Sequence, residues 1–309
     1  MKRAFFALLV ALFAALGRAD GQTVTEFQTI APDGHVMAGE IVTPQRGFSA
    51  AVMLISGSGR QSREFADFEG RYAPHRDWLD TFLQAGLAVI RFDERGTGGS
   101  GGDHREATLS DLVDDAETVL RAARMSLGGA DLFVLGHSEG AVIAMTLSAR
   151  GEDLTGLILL GAPSKSPRDF LRDQAAGNVE RTADMSEADW AAARDAWYQG
   201  VIARFEQSPV LRDHLDVDVP ALAAAVDAPV FVIEGGADEL IAPPQGEELA
   251  ALIAADGSPD VWHRRYTNVN HFMTPQPQGM TGWQAVEDFT LDARIRADAA
   301  AWILERAGQ

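Results

Sequence analysis

The feature that constrains this chain most is a turn. Val134-Leu135-Gly136-His137-Ser138-Glu139-Gly140-Ala141 joins an apolar run, Leu132 to Leu135, to an amphipathic helical pattern over Ala141 to Ala149. Gly136-x-Ser138-x-Gly140 between a strand and a helix predicts a corner too tight for side chains two residues either side of the serine. Ser138 then sits on a strained backbone with its hydroxyl projecting. The next backbone N–H, that of Glu139, points at the same space from the first turn of the helix. It can help hold a negatively charged oxygen there. A corner of this kind presents a nucleophile, whereas a plain Gly-Ser turn needs neither flanking element.

The rest of the chain supplies the scaffold. Val24 to Ile30 and His35 to Val42 read as a hairpin around Ala31-Pro32-Asp33-Gly34, where fixed φ, an Asx-type bond and a positive φ follow one another. Apolar runs at Ala50 to Ile55, Leu87 to Phe92, 131–135, Leu154 to Leu160, 229–234 and Val261 to Tyr266 alternate with helical patterns. These are Arg76 to Ala85, Thr108 to Met125, 141–149, Gln245 to Ala254 and a closing helix within Ala285 to Arg306. Such alternation predicts an α/β fold with a mostly parallel central sheet of about eight strands, covered by helices on both faces. The acids of the Thr108–Met125 helix are expected on a solvated face, and Asp93, Glu94 and Arg95 to tie their own loop together through Asp–Arg bonds. From Pro163 to about Val226 no strand is expected. Ser186-x-x-Asp189 opens a helix there, and Trp190, Trp197 and Phe205 recur along one face of it. The expected organisation is a core domain of residues 20–162 and 227–309 and a helical cap of residues 163–226. The aromatic stripe is expected to pack the cap onto the body.

The N-terminus reads differently. Met1-Lys2-Arg3 precedes an unbroken apolar stretch from Ala4 to Leu16, and Gly17-Arg18-Ala19 offers small residues for cleavage after Ala19. This predicts a signal peptide over residues 1–19, and a periplasmic or secreted protein without a stable membrane anchor after processing. The stretch is short for a membrane span. Formal net charge is −19, and removing Lys2, Arg3 and Arg18 with the leader leaves −22. A surface so acidic repels nucleic acid and polyanionic substrates. With no cysteine, disulfides, cysteine nucleophiles and cysteine metal ligands are all excluded.

A serine hydroxyl needs a base, and the base needs a third group to fix its tautomer. Asp238 and His271 follow the carboxyl ends of two later strands, on the sheet edge that carries Ser138. The order Ser, Asp, His is the one expected after such an elbow. Glu239 and Asp256 are rival acids. Among the other histidines, His137 belongs to the elbow and is expected to face away from the hydroxyl, and His263 falls inside a strand. Ser56-Gly57-Ser58-Gly59-Arg60 follows the Ala50–Ile55 strand without the Lys-Ser/Thr of a phosphate loop. Its expected use is to turn the Ser58 N–H toward the nucleophile as a second oxyanion donor.

With Ser56-Gly57-Ser58-Gly59, Arg91-Phe92-Asp93-Glu94-Arg95-Gly96, the Ser138 elbow, Gly235-Gly236-Ala237-Asp238 and Asn270-His271-Phe272, the chain resembles the α/β-hydrolase superfamily from about Ala50 onward. Within it, the chain is similar to the bacterial serine-aminopeptidase-like branch. The resemblance implies Ser138 as nucleophile, Asp238 as acid, His271 as base, and the Ser58 and Glu139 N–H groups as the oxyanion hole. Many relatives begin the oxyanion loop with His-Gly, where this chain has Ser56-Gly57. The function expected is hydrolysis of carboxylic esters of small, uncharged substrates through an acyl-enzyme, with no metal or organic cofactor. Amide, peptide and thioester hydrolysis are open to the same triad, and so is a non-catalytic binding role on the scaffold.

Overall fold

A computed structural model describes residues 14–17, 21–65, 70–182, 184–256, 258, 260–278, 280, 286 and 288–308. Among them, nine strands form one sheet in the order β1-β2-β3-β5-β4-β6-β7-β8-β9. They are β1 (Ala14–Gly17), β2 (Thr23–Ile30), β3 (Val36–Thr43), β4 (Ala50–Ile55), β5 (Ala88–Phe92), β6 (Asp131–His137), β7 (Gly156–Leu160), β8 (Val230–Gly235) and β9 (Val261–Tyr266). Strands β4 to β9 run parallel, and β1 to β3 form an antiparallel flank. Eight strands match the expectation, and β1 adds an edge strand inside the predicted leader. Residues 1–13 and 18–19 of that leader lie outside the described residues. Strand β2 does not depend on β1 for its register, since it pairs with β3 over its whole length, from Thr23 opposite Thr43 to Ile30 opposite Val36.

The helices are α1 (Pro74–Gln84), α2 (Leu109–Arg124), α3 (Glu139–Ala149), α4 (Pro167–Asn178), α5 (Glu187–Phe205), α6 (Pro209–Leu215), α7 (Val219–Ala224), α8 (Gln245–Asp256) and α9 (Ala293–Arg306). Strand β4 shows how the layers form. All six of its side chains are buried, and their parity divides them between two cores. Ala51, Met53 and Ile55 join the core that α2, α3 and α8 cover, while Ala50, Val52 and Leu54 join the one under α1 and α9. Among the described residues no helix is long and apolar enough to cross a membrane.

Local chemistry sets the helix ends. Thr108 and Asp111 exchange bonds in a capping box at the start of α2. The Asp292 side chain accepts the Arg294 N–H at 2.8 Å and sets the start of α9, which lies within the expected Ala285–Arg306 stretch.

Two charge assignments change. Asp115 is not on a solvated face: it is buried, and both its oxygens accept from Arg95, at 2.7 and 2.8 Å. Arg95 also holds Asp33 at 2.8 Å, which ties the β2–β3 turn to α2. Asp93 pairs with Arg63, not Arg95, and accepts the Gly99 N–H at 2.9 Å.

Residues 163–226 contain four helices and, among the described ones, no strand. The aromatic stripe packs this segment on itself rather than onto the body. Trp197 and Phe205 lie against a cluster of Leu171, Ala175, Tyr198, Ile202 and Leu215. Trp190 is stacked between the guanidiniums of Arg181 and Arg194, at 4.9 and 4.7 Å. Docking onto the body falls to α6 and α7, whose Val210, Val219 and Ala223 enter the core beneath α2 and α3.

Candidate active site

Ser138 stands between β6 and α3 with φ +53° and ψ −114°, a conformation that costs a non-glycine residue about 1–3 kcal/mol. The reasons for its two glycines differ. A Cβ on Gly136 would lie 2.2 Å from the Gly140 carbonyl oxygen, a collision across the turn itself. A Cβ on Gly140 would instead meet the carbonyl oxygens of Ser56 and Ile55 at 2.4 and 2.5 Å, because α3 begins hard against the end of β4. The Ser138 N–H donates to the Leu160 carbonyl at 2.9 Å, which fixes the corner to the end of β7.

Asp238 and His271 come together from the loops after β8 and β9. Those loops are stitched by backbone bonds, Gly236 N–H to Tyr266 O at 2.9 Å and Ala237 N–H to Val269 O at 2.8 Å. One Asp238 oxygen, Oδ2, lies 2.8 Å from His271 Nδ1. The other, Oδ1, accepts the N–H groups of Leu240 and Ile241, both at 2.8 Å. The carboxylate is fully enclosed, and the imidazole nearly so. Of the rival acids, Glu239 is exposed, while the Asp256 side chain lies outside what the structure describes. His263 is engaged by Glu234 at 3.1 Å.

Asn270 builds the turn that presents the imidazole. Its Oδ1 accepts from Phe272 N–H, Thr274 N–H and Thr274 Oγ1 at 3.0, 3.2 and 3.0 Å. The His271 ring rests over Gly161, where a Cβ would lie 3.2 Å from Nδ1. The base therefore shares the end of β7 with the Ser138 backbone. Ser138 Oγ forms no hydrogen bond to His271 among the described residues. In a free enzyme such a bond often aligns only when substrate is bound.

His137 does more than the sequence suggested. Its Nε2–H donates to the His271 carbonyl at 2.7 Å, and the two rings are 4.8 Å apart. A carbonyl only accepts, so Nε2 carries a proton. Burial, with His271 adding, pushes the His137 pKa down to about 3. His75 is similar. Its Nδ1 donates to the Arg63 carbonyl at 3.2 Å, its Nε2 lies 3.4 Å from the Ser56 hydroxyl, and burial, with Arg91 adding, brings its pKa to about 3. His75 thus supports the loop from beneath where Ser56 stands.

That loop approaches the nucleophile closely. A Cβ on Gly57 would lie 3.0 Å from His137 Nδ1, a tight approach, and in ordinary contact with the Ser138 Cβ at 3.4 Å, while Gly59 is needed for its φ of +111°. Among the described residues the Ser58 N–H has no backbone acceptor. The Glu139 N–H, first in α3, has none within the helix. The Glu139 side chain is buried and accepts the Ser58 hydroxyl at 3.2 Å, a contact absent from the sequence reading. No periodicity or motif could have signalled it, because it joins residues 81 apart. A separate cavity of about 490 Å³, lined by Thr267, Pro275, Pro277 and Arg294 among others, contains none of these groups.

Comparison with known proteins agrees with the fold. Residues 49–192 match the family model described as serine aminopeptidase, S33. The monoacylglycerol lipase of Mycolicibacterium smegmatis is 26% identical over 260 residues, 77% of this chain and 87% of that one. Esterase EstD of Thermotoga maritima is 22% identical over 284 residues, covering 87% and 66%. Among solved structures, an esterase of Pyrococcus furiosus superposes with a TM-score of 0.62 at 15% identity, covering 98% of this chain and 92% of that one. A thermostable carboxyl esterase of Bacillus coagulans gives 0.61 at 16%, covering 92% and 99%. Strand order, the strained serine corner and the structural likeness lead to one statement: this chain has the α/β-hydrolase fold, and its residues 49–192 match the serine aminopeptidase, S33 family model.

Proposed function

We propose that the protein is an exported serine hydrolase that cleaves carboxylic esters of small, uncharged substrates through an acyl-enzyme. Ser138 Oγ attacks the carbonyl carbon, and His271 Nε2 takes the hydroxyl proton. The Ser58 and Glu139 N–H groups hold the tetrahedral oxyanion. As that intermediate collapses, His271 returns the proton to the departing alcohol. Water repeats the sequence on the acyl-enzyme and releases the acid. Asp238 holds His271 in the tautomer with Nδ1 protonated, so that Nε2 is free to accept. The single observation that carries the reading is the enclosed Asp238–His271 pair at 2.8 Å, whose second carboxylate oxygen is pinned by two backbone donors.

Support for esters over peptides comes from the relatives named as lipase and esterases, and from the segment 163–226. An aminopeptidase needs carboxylates free to bind an α-amine. There Asp189 bonds Ser186, Glu187 holds Arg181 at 2.8 Å, and Asp184 is held below the usual carboxylate range by Thr182. Export is supported by the charged, apolar and small-residue pattern of residues 1–19. Its check is the N-terminus of protein recovered outside the cytoplasm, expected at Asp20 or within a few residues; soluble cytoplasmic protein that retains Met1 refutes export. Turnover of esters of rising acyl length, thioesters and amino-acid anilides, measured side by side, tests the reaction class. Esters are expected to lead in kcat/KM, and a preference for anilides replaces the ester reading with an aminopeptidase.

A further inference from the structure

Position 139 owes the proposed chemistry only its backbone N–H, so its side chain is free to be anything. It is a buried carboxylate, with 4% of the side chain exposed. An acid in the first turn of a helix is favoured by the helix dipole, but solvent exposure serves that purpose equally well. Burial instead demands partners. Glu139 has two, both on the same oxygen. Ser58 Oγ donates to Oε2 at 3.2 Å, and His214 Nδ1 lies 3.3 Å from it as an electrostatic contact rather than an aligned hydrogen bond.

These partners come from two separate parts of the molecule. Ser58 is the exposed tip of the loop after β4, and among the described residues no backbone bond holds its N–H. His214 lies in the last turn of α6, the helix that ties the 163–226 segment to the body. Val210 of α6 enters the core beneath α2 and α3, while Leu215 enters the cluster of Leu171, Tyr198 and Ile202. Behind Glu139 stand Glu94 and His104, with 3.8 Å between Glu94 Oε2 and His104 Nε2. Burial raises the Glu94 pKa well above the usual carboxylate range, with the charge of Glu139 adding to it, and burial lowers that of His104. Among the described residues no group of three His, Asp or Glu is placed to hold a metal ion. The cluster is closed to solvent at His104 Nε2 and His214 Nδ1, so it does not read as a substrate subsite.

We infer that Glu139 is a positioning residue, its carboxylate clamping Ser58 so that the oxyanion loop stays aimed at Ser138, with His214 of α6 closing the clamp. The inference rests on the proposed reading of Ser58 N–H as an oxyanion donor. Loss of the clamp leaves both N–H groups in the chain but lets one of them wander. Removing such a donor altogether costs about 10²–10³ in kcat, so misplacing it costs less, about tenfold.

The test compares Ser58→Ala, Glu139→Ala, Glu139→Gln and the Ser58→Ala/Glu139→Ala pair, with kcat and KM measured separately. A boronic acid, whose tetrahedral adduct mimics the oxyanion, is titrated against each. Ser58→Ala and Glu139→Ala should each lose about tenfold in kcat with KM nearly unchanged, and Ki for the boronic acid should rise by the same factor. The pair should lose no more than Glu139→Ala alone, because the two residues act through one contact. Glu139→Gln, which keeps an oxygen able to accept the Ser58 hydroxyl, should lose less than Glu139→Ala. Full turnover in either single variant, or losses that multiply to about a hundredfold in the pair, overturns the inference. Turnover surviving in Ser138→Ala would instead remove the reading of the site beneath it.

Discussion

Replacing Asp238 with asparagine changes one atom and should disable the site. The outcome depends on which way the new amide faces. In the native side chain Oδ1 accepts two backbone N–H groups at 2.8 Å, while Oδ2 faces His271 Nδ1 at 2.8 Å. If the amide oxygen keeps the two backbone donors, its NH₂ must face Nδ1. Nδ1 then has to accept, the ring proton moves to Nε2, and Nε2 can no longer take a proton from Ser138. Reversing the amide restores the tautomer but strands two backbone donors against an NH₂. At about 1–3 kcal/mol for each stranded donor, that orientation is disfavoured by about 2–6 kcal/mol, so it holds at most a few per cent of molecules. Asp238→Asn should therefore lose about 10³–10⁴ in kcat with KM within about threefold. Three charge-assisted bonds become ordinary ones, so the melting temperature should fall by only a few degrees. Initial-rate kinetics on a chromogenic ester and a thermal melt check both halves. Turnover within tenfold of wild type refutes the reasoning, and so does an equal loss in Glu239→Gln with Asp238→Asn active.

His137→Phe removes the Nε2–H that holds the His271 carbonyl. It should cost about 1–3 kcal/mol in urea denaturation and about tenfold in kcat, and unchanged kinetics would show that the base loop stands without it. His75 and His137, with folded-state values of about 3 against about 6.5 unfolded, stay neutral in the native protein while the unfolded chain binds protons. Stability is then full above about pH 6.5 and falls as pH drops below it, by about 1.4 kcal/mol per unit for each ring. Denaturation midpoints at about pH 5 and pH 7.5 should differ accordingly, with roughly half the slope lost in His137→Phe, and a flat profile contradicts the burial argument.

Most of the scaffold was legible because its determinants are local. Apolar runs such as Ala50–Ile55 announce buried parallel strands, and Ser186 announces its helix by capping. Ser138, Asp238 and His271 were legible because strand ends fix positions in a parallel sheet. Pairings across long separations were not. Asp115 looked solvated because three neighbouring acids share its helix, yet its partner Arg95 comes from another loop. The Trp190–Phe205 stripe gave the correct helix face, but periodicity states that a face is covered and not by what. The sequence assigns Glu139 only its backbone N–H and His137 only a place in the elbow. The contacts of their side chains are with His271, Ser58 and His214, which reach them only through the tertiary fold.

The central claim is that Ser138 is the nucleophile, and covalent labelling tests it most directly. Protein treated with a fluorophosphonate should gain the mass of one adduct, which peptide mapping should place on Ser138. Ser138→Ala should take up none, while unfolding at the same denaturant concentration as the wild type. An adduct on another residue, or labelling undiminished in Ser138→Ala, would contradict the account.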